Sequence, residues 1–320
     1  MIKLALVVPC YNEHECLPTS NKILLEYLDS LIKKGKISDS SFILYVNDGS
    51  KDNTYDLIKE FHEQDKKHVL GISLTRNKGH QAALLCGLNS VIDHCDACVS
   101  LDSDLQDDIN AIEQMVDKFE EGNDIVLGVR SSRKKDKFLK RFSANAFYKV
   151  MDFLGAKTVN NHADFRLMSN RALKDLAKYK EVNLFLRGII LDIGYKVDYV
   201  YYERLERQQG KTKYSPKKMI NLAVSGITSF SIKPLRLITG FGILTCFVDV
   251  ILIIYSIIAY FCNIWYFNYV ALSIYMFSGI LLIAMGVIGE YVGRIYMEVK
   301  ARPTYLIEDK LCNEEEKLWN

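Results

Sequence analysis

The chain has 320 residues, enough for one large domain or two modest ones, and its charge is almost balanced, with 41 Lys and Arg against 39 Asp and Glu. That balance names no partner, and it gives nucleic-acid binding no support. Residues 1–215 have the mixed composition of a soluble α/β protein, whereas two long apolar stretches dominate from Leu235 onward, so a soluble head precedes a membrane tail.

The opening, MIKLALVVPCYNE, contains an apolar run too short and too soon interrupted for a signal peptide. Five short runs rich in β-formers then recur with helix-like segments between them: LALVVP, FILYVN, VLGISL, ACVSLD and DIVLGV. Such alternation predicts an α/β head with a mostly parallel sheet and helices on both faces. Ligands of these sheets bind beyond the carboxyl ends of the strands. The residues there are polar in four successive cases: PCYNE (Pro9 to Glu13), NDGSKDNT (Asn47 to Thr54), TRNKGHQAA (Thr75 to Ala83) and DSDLQDD (Asp102 to Asp108). Each has an ordinary reading too, because Asn, Asp, Gly and Ser form turns and Asp52 to Thr54 has the chemistry of a helix cap.

Cys95 and Cys98 form one C-x-x-C at the start of the fourth run. With no second pair, and entering a strand where a redox motif would open a helix, they are expected to pack as small apolar residues. The acidic stretch behind them crowds Asp102, Asp104, Asp107 and Asp108 together, and such crowding calls for a cation. Asp102, Asp104, Gln106 and Glu113 match positions 1, 3, 5 and 12 of an EF-hand loop, but Asp107 stands where that loop needs glycine, and a strand precedes it where a helix should.

Further along come HADFRLMS (His162 to Ser169), FLRG (Phe185 to Gly188) and ERLERQQGKTKYS (Glu203 to Ser215). Taken in order with PCYNE, NDGS-x-DNT, R-N-x-G-H-Q-x-A and D-x-D-L-Q-D, these motifs resemble glycosyltransferase family 2. The resemblance is to its membrane-anchored polyprenyl-phosphate branch, which includes bactoprenol glucosyltransferases and dolichyl-phosphate mannose synthases. It implies a GT-A type nucleotide-binding fold over residues 1–215 and inverting transfer of a hexose from a nucleotide sugar to a polyprenyl phosphate. UDP-glucose and undecaprenyl phosphate are the expected pair, with UDP-N-acetylglucosamine and GDP-mannose as alternative donors.

By the same resemblance Asp102 and Asp104 form the D-x-D pair for Mg²⁺ or Mn²⁺, whose preference for oxygen ligands suits a strand end. On an extended segment, period-two geometry would place both carboxylates on one side. Asp104 is the expected direct ligand, with Asp102 near ribose or metal, and Ser103, Gln106 and Asp107 at the sugar. Asp108 has the alternative of capping the next helix. Pro9, Tyr11, Glu13, Asn47, Asp48, Arg76 and Lys78 match positions around the nucleotide. Asn47 departs from the family, which often has aspartate there, but it still donates and accepts hydrogen bonds. Arg204, Arg207, Lys211 and Lys213 are expected to clamp the acceptor phosphate, with Arg207 the best bidentate candidate and Arg187 a weaker one. Asp164 matches the family's proposed catalytic base. A phosphate monoester is largely dianionic at neutral pH and needs no base, so Asp164 has the alternative role of orienting the acceptor or Arg166.

Residues 216–234 carry apolar positions at helical spacing behind Lys217 and Lys218, a pattern that fits a helix lying on an anionic membrane surface or packing on the head. Phe241 to Cys262 and Tyr269 to Gly289 are each long enough to span a bilayer, giving a transmembrane hairpin over 235–298 and a C-terminal tail over 299–320. Basic residues flank its outer ends, placing the head and both termini in the cytoplasm by the positive-inside rule. A four-subunit assembly is implied only by the resemblance. A catalytically silent membrane scaffold is the rival class, against which the intact D-x-D and basic loop weigh. A processive polysaccharide synthase lacks support because no Q-x-x-R-W is present.

Overall fold

Each of the five apolar runs forms a strand in the computed structural model, which describes residues 1–131, 162–181, 186–203, 233–262 and 269–312. Strands β1 (Leu4–Cys10), β2 (Phe42–Asn47), β3 (Val69–Leu74) and β4 (Ala97–Ser100) are buried at every position, as strands covered on both faces must be. Helices α1 (Leu17–Lys33), α2 (Thr54–Gln64) and α3 (His80–Ser90) carry the crossovers between them, and α4 (Ala111–Glu120) leads into β5 (Ile125–Arg130).

Alternation along β1 divides the core. Leu4, Leu6 and Val8 pack with Leu24 and Leu28 of α1, Ile58 of α2 and Met115 of α4. Val7 faces the other way, toward α3. There Gly87 lies so near that a Cβ would fall 2.4 Å from Val7 Cγ1, so only glycine admits α3 at this distance. Helices thus cover both faces of the sheet.

Three strands complete it. β6 (His162–Ser169) leads into α5 (Asn170–Leu176); after α6 (Leu186–Asp192) comes β7 (Val197–Tyr202); β8 (Ile307–Leu311) lies near the end of the chain. The eight-stranded order is β7-β5-β6-β4-β1-β2-β3-β8. β1, β2, β3 and β4 run parallel, as do β5 and β7, while β6 lies antiparallel between β4 and β5 and β8 antiparallel along β3. The sheet is mixed and mostly parallel, in agreement with the GT-A expectation. From β1 the chain builds outward through β2 and β3 on one side and places β4 on the other, so strand order reverses between β1 and β4. At such a switch point the loops diverge and leave a crevice.

The chain divides into two compact units, with β8 in the first and helices α7 (Lys233–Phe261) and α8 (Tyr269–Val299) in the second. Leu235–Phe261 and Met276–Val299 have mean hydropathies of 2.5 and 1.7, and both are long and apolar enough to cross a membrane. Large apolar side chains such as Ile243, Phe247, Leu282 and Ile283 stand exposed along them, as they would toward lipid.

Candidate active site

The loops at the carboxyl ends of β1, β2 and β3 are stitched to one another by side chains. Asn12, at φ 52°, receives the Lys51 N–H on its Oδ1 at 2.9 Å and donates its own N–H to Ser50 Oγ at 3.0 Å. Thr54 Oγ1 accepts the Glu13 N–H at 2.9 Å and donates to Asp52. Gly49 has φ +59°, and a Cβ there would meet the Arg76 carbonyl carbon at 2.4 Å, so the second loop rests directly on the third.

Asp48 fixes that third loop. Its carboxylate accepts the N–H groups of Lys78 and Gly79 at 2.7 and 2.8 Å. Burial pushes its pKa up, against the opposing pull of those two N–H groups. Asn47 Nδ2 donates to Ser73 Oγ at 3.0 Å, and its Oδ1 accepts the Ser50 N–H at 3.1 Å. Both side chains are buried and occupied with the loops, whereas Arg76 is exposed and Tyr11, Glu13 and Lys78 are partly so. Pro9 is buried inside β1.

The acidic stretch departs from the extended geometry expected of it. β4 ends at Ser100, two residues short of Asp102, and the chain then turns, with the Leu105 N–H reaching the Asp102 carbonyl at 3.3 Å and Leu105 at φ 46°. Asp102 and Asp104 are therefore set by a turn and not by strand alternation. Ser20 of α1 anchors it, donating to the Ser103 carbonyl at 2.7 Å, and Asp104 Oδ1 accepts the Gln106 N–H at 3.3 Å. Asp107, 5% exposed, accepts Arg130 Nε at 3.2 Å, Arg130 Nη2 at 3.0 Å and the Tyr202 hydroxyl at 2.7 Å. The register that aligns Arg130 with Tyr202 at the carboxyl ends of β5 and β7 makes that contact possible. Asp108 accepts the Asn110 N–H and Nδ2 ahead of α4, whose N-cap is Asn110.

Antiparallel β6 brings Asp164 to the same place. Ser100, the last residue of β4, pairs with Arg166, so Asp164 lies two residues beyond that end, where the acidic turn begins. His80, the first residue of α3, bridges the gap with Nε2 at 3.7 Å from Asp102 Oδ1 and 3.6 Å from Asp164 Oδ2. Arg166 Nη2 donates to Asp164 Oδ1 at 2.7 Å, while Arg187 Nε and Nη2 donate to Oδ1 and Oδ2 at 3.1 and 2.8 Å. Burial alone would raise the Asp164 pKa, but His80, Arg187 and Arg166 outweigh it and hold the carboxyl well below the usual range. Partial desolvation opposes charge on the half-exposed His80, yet Asp164 and Asp102 raise its pKa. Asp102 behaves oppositely to Asp164: its half-buried position and the neighbouring Asp164, Asp107 and Asp104 carboxylates push it up to about 6, although His80 pulls it down.

Charge crowding of this kind suits a divalent cation. Among the described residues no group of three or more His, Cys, Asp or Glu side chains is arranged to enclose a metal ion. Two carboxylates on a turn instead fit an ion that completes its shell with phosphate oxygens and water, the habit of Mg²⁺.

His80, Arg130, Tyr202 and Ser20 join the candidate site by contact, and sequence reasoning missed them. His80 lay within a motif already singled out, but nothing in its spacing shows that α3 would aim it at two aspartates. Arg187 pairs with Asp164. Arg204, Arg207, Lys211 and Lys213 lie outside the described residues, as does the segment 216–232. Cys95 and Cys98 are buried and free, in agreement with packing.

A family model described as glycosyl transferase family 2 matches residues 5–177. The uncharacterized glycosyltransferase YkoT of Bacillus subtilis (strain 168) is 46% identical over 314 residues, 98% of this chain and 93% of that protein. The bactoprenol glucosyl transferase of Shigella phage SfX is 39% identical over 316 residues, 97% of this chain and all of that one. Among solved structures, the mannosyltransferase PcManGT from Pyrobaculum calidifontis in complex with GDP-Man and Mn²⁺ is 14% identical, with a TM-score of 0.43 over 89% of this chain and 86% of that one.

Proposed function

The chain belongs to glycosyl transferase family 2, and from that premise we propose that it transfers glucose from UDP-glucose to undecaprenyl phosphate at the cytoplasmic face of a membrane. It is a glycosyltransferase, and end-to-end similarity to bactoprenol glucosyl transferases supports a polyprenyl carrier as acceptor. The observation that carries the acceptor class further is the state of Asp164. A carboxylate held ionised by two guanidinium groups and an imidazole has little affinity for a proton, which makes it a poor general base. An acceptor that is already an anionic nucleophile needs none, and a phosphate monoester is one.

In this reading the donor lies across the switch point between β1 and β4. Tyr11, Glu13 and Arg76 border the nucleotide, while Pro9, Asn47 and Asp48 hold the strand end and loops that border it. Asp102 and Asp104 would hold Mg²⁺ or Mn²⁺, which when bound stabilises the charge that develops on the departing diphosphate. Ser103, Gln106 and Asp107 line the hexose, with Asp107 kept in one orientation by Arg130 and Tyr202. Asp164 keeps Arg166 and Arg187 in place beside the reacting groups. The guanidinium of Arg187 and the basic side chains of Arg204, Arg207, Lys211 and Lys213 offset the repulsion between the acceptor phosphate and the donor diphosphate.

The two apolar helices associate the enzyme with the membrane in which such a lipid resides. β8, which follows both of them in the chain, belongs to the same sheet as β1, and this supports a cytoplasmic location for both termini. Purified full-length protein should be incubated with radiolabelled UDP-glucose, UDP-N-acetylglucosamine and GDP-mannose in turn, each with undecaprenyl phosphate and Mg²⁺ or Mn²⁺. Labelled lipid from UDP-glucose is expected. Label from another donor replaces the sugar assignment, and no labelled lipid from any donor overturns the reading.

A further inference from the structure

The active-site loop Thr75 to His80 is tied to a segment that the chain supplies only after both apolar helices. β8 runs antiparallel along β3 with Ile72 opposite Lys310 and Ser73 opposite Asp309, and the ladder shifts register between Ser73 and Leu74. Just beyond that shift, the Thr75 N–H donates to the Leu306 carbonyl at 3.0 Å. Asn89 Nδ2, near the end of α3, donates to the Tyr305 hydroxyl at 3.1 Å. The segment therefore grips both ends of one unit: the strand end before the loop and the helix after it.

Between those two grips lie Lys78 and Gly79, whose N–H groups are fixed by Asp48, and His80, which stands between Asp102 and Asp164. α3 transmits position well, because Ala82 to Leu88 are all buried and Gly87 sits against Val7 and Val46. The packing of β8 is equally close, since a Cβ on Gly71 would fall 2.9 Å from Leu311 Cδ1. At its other end the segment follows α8 directly in the chain, through Lys300, Ala301 and Arg302.

We infer that residues 303–311 are a positioning strap for sugar transfer: they fix the loop carrying Lys78 and His80 relative to Asp102 and Asp164. A cover for the β3 edge alone would leave the chemistry of each folded molecule untouched; a strap would not. The inference rests on the reading that this loop borders the donor.

Three forms test it in lipid nanodiscs: the full-length wild type, full-length Tyr305→Phe, and a chain ending after Arg302. Turnover is measured per UDP-binding site with the best donor from the panel, alongside amide hydrogen exchange over residues 75–80. The shortened chain is expected to lose turnover by about ten-fold or more at similar UDP affinity, with faster exchange in the loop. A synthetic peptide of residues 303–312 should restore both. Tyr305→Phe should lower turnover roughly two- to three-fold with an unchanged melting temperature. Wild-type turnover and exchange in the shortened chain overturn the strap. If that chain does not fold, unchanged turnover and exchange in Tyr305→Phe overturn it. Should the wild type transfer no sugar at all, the proposed function fails, and exchange alone decides the strap.

Discussion

Asp164 carries one negative charge and meets two guanidinium groups, Arg166 and Arg187, with the His80 imidazole 3.6 Å away. Arg166 is fully buried, and among the described residues its Nε and Nη1 meet no hydrogen-bond partner, so Asp164 is the main offset to its charge there. Asp164→Asn should therefore cost stability by about 3–5 kcal/mol, the usual penalty for breaking a buried pair, measurable by denaturant unfolding of the head. The folded pKa of Asp164 lies below its unfolded value. Its stabilisation is thus complete above about pH 4 and is lost as pH falls through the folded value, so the variant should lack that part of the acid transition. Whatever turnover the variant keeps should show the wild-type pH profile; loss of the acidic limb would restore the base role. Ser20→Ala removes the donor to the Ser103 carbonyl and should weaken the acidic turn by about 1 kcal/mol, raising the donor KM several-fold with little change in melting temperature. The D-x-D pair was legible because its members are neighbours in the chain. The meeting of His80 with Asp164 was not, since it depends on how β6 is inserted.

At the scale of elements, β1 to β5 announce themselves as apolar runs closed by turn residues, because a strand covered on both faces has no use for polar side chains. β6 hides because Asp164 and Arg166 interrupt its run, and both belong to the candidate site. β7 and β8 hide for the opposite reason, being sheet edges: β8 reads Ile-Glu-Asp-Lys-Leu, with the charges that keep an edge from pairing with other chains. Its segment fell within the expected C-terminal tail of 299–320, which no apolar run marks as part of a sheet. The contact between the second and third loops is equally invisible in sequence, although Gly49 is its signature. Gly49→Ala would force a Cβ into the Arg76 backbone at φ +59° and should cost about 1–3 kcal/mol. Donor affinity should fall with it, as isothermal titration with UDP would register.

For the whole molecule, the two long helices were the most legible feature, since length and an apolar run with few charges, such as Asp249, are read directly from the sequence. What the sequence did not reveal is that the chain returns to the sheet of the head, as β8, after both helices. Excess EDTA should abolish sugar transfer, and Mg²⁺ or Mn²⁺ should restore it; transfer that persists in chelator would remove the ion from Asp102 and Asp104. Tags at the two termini should be protected alike from protease added outside intact cells and become accessible together on lysis.

The position of β8 also sets an order of events during synthesis. A ribosome that has finished β1 to β7 has made a sheet whose outermost parallel strand, β3, still shows an unpaired backbone to the surroundings. Only after the nascent chain has released two greasy helices, and the insertion machinery has received them, does the last strand arrive to close that border. On the strap inference, catalytic maturation follows the release of both helices, and a chain stalled before that point is left with an adhesive flank for quality control to recognise.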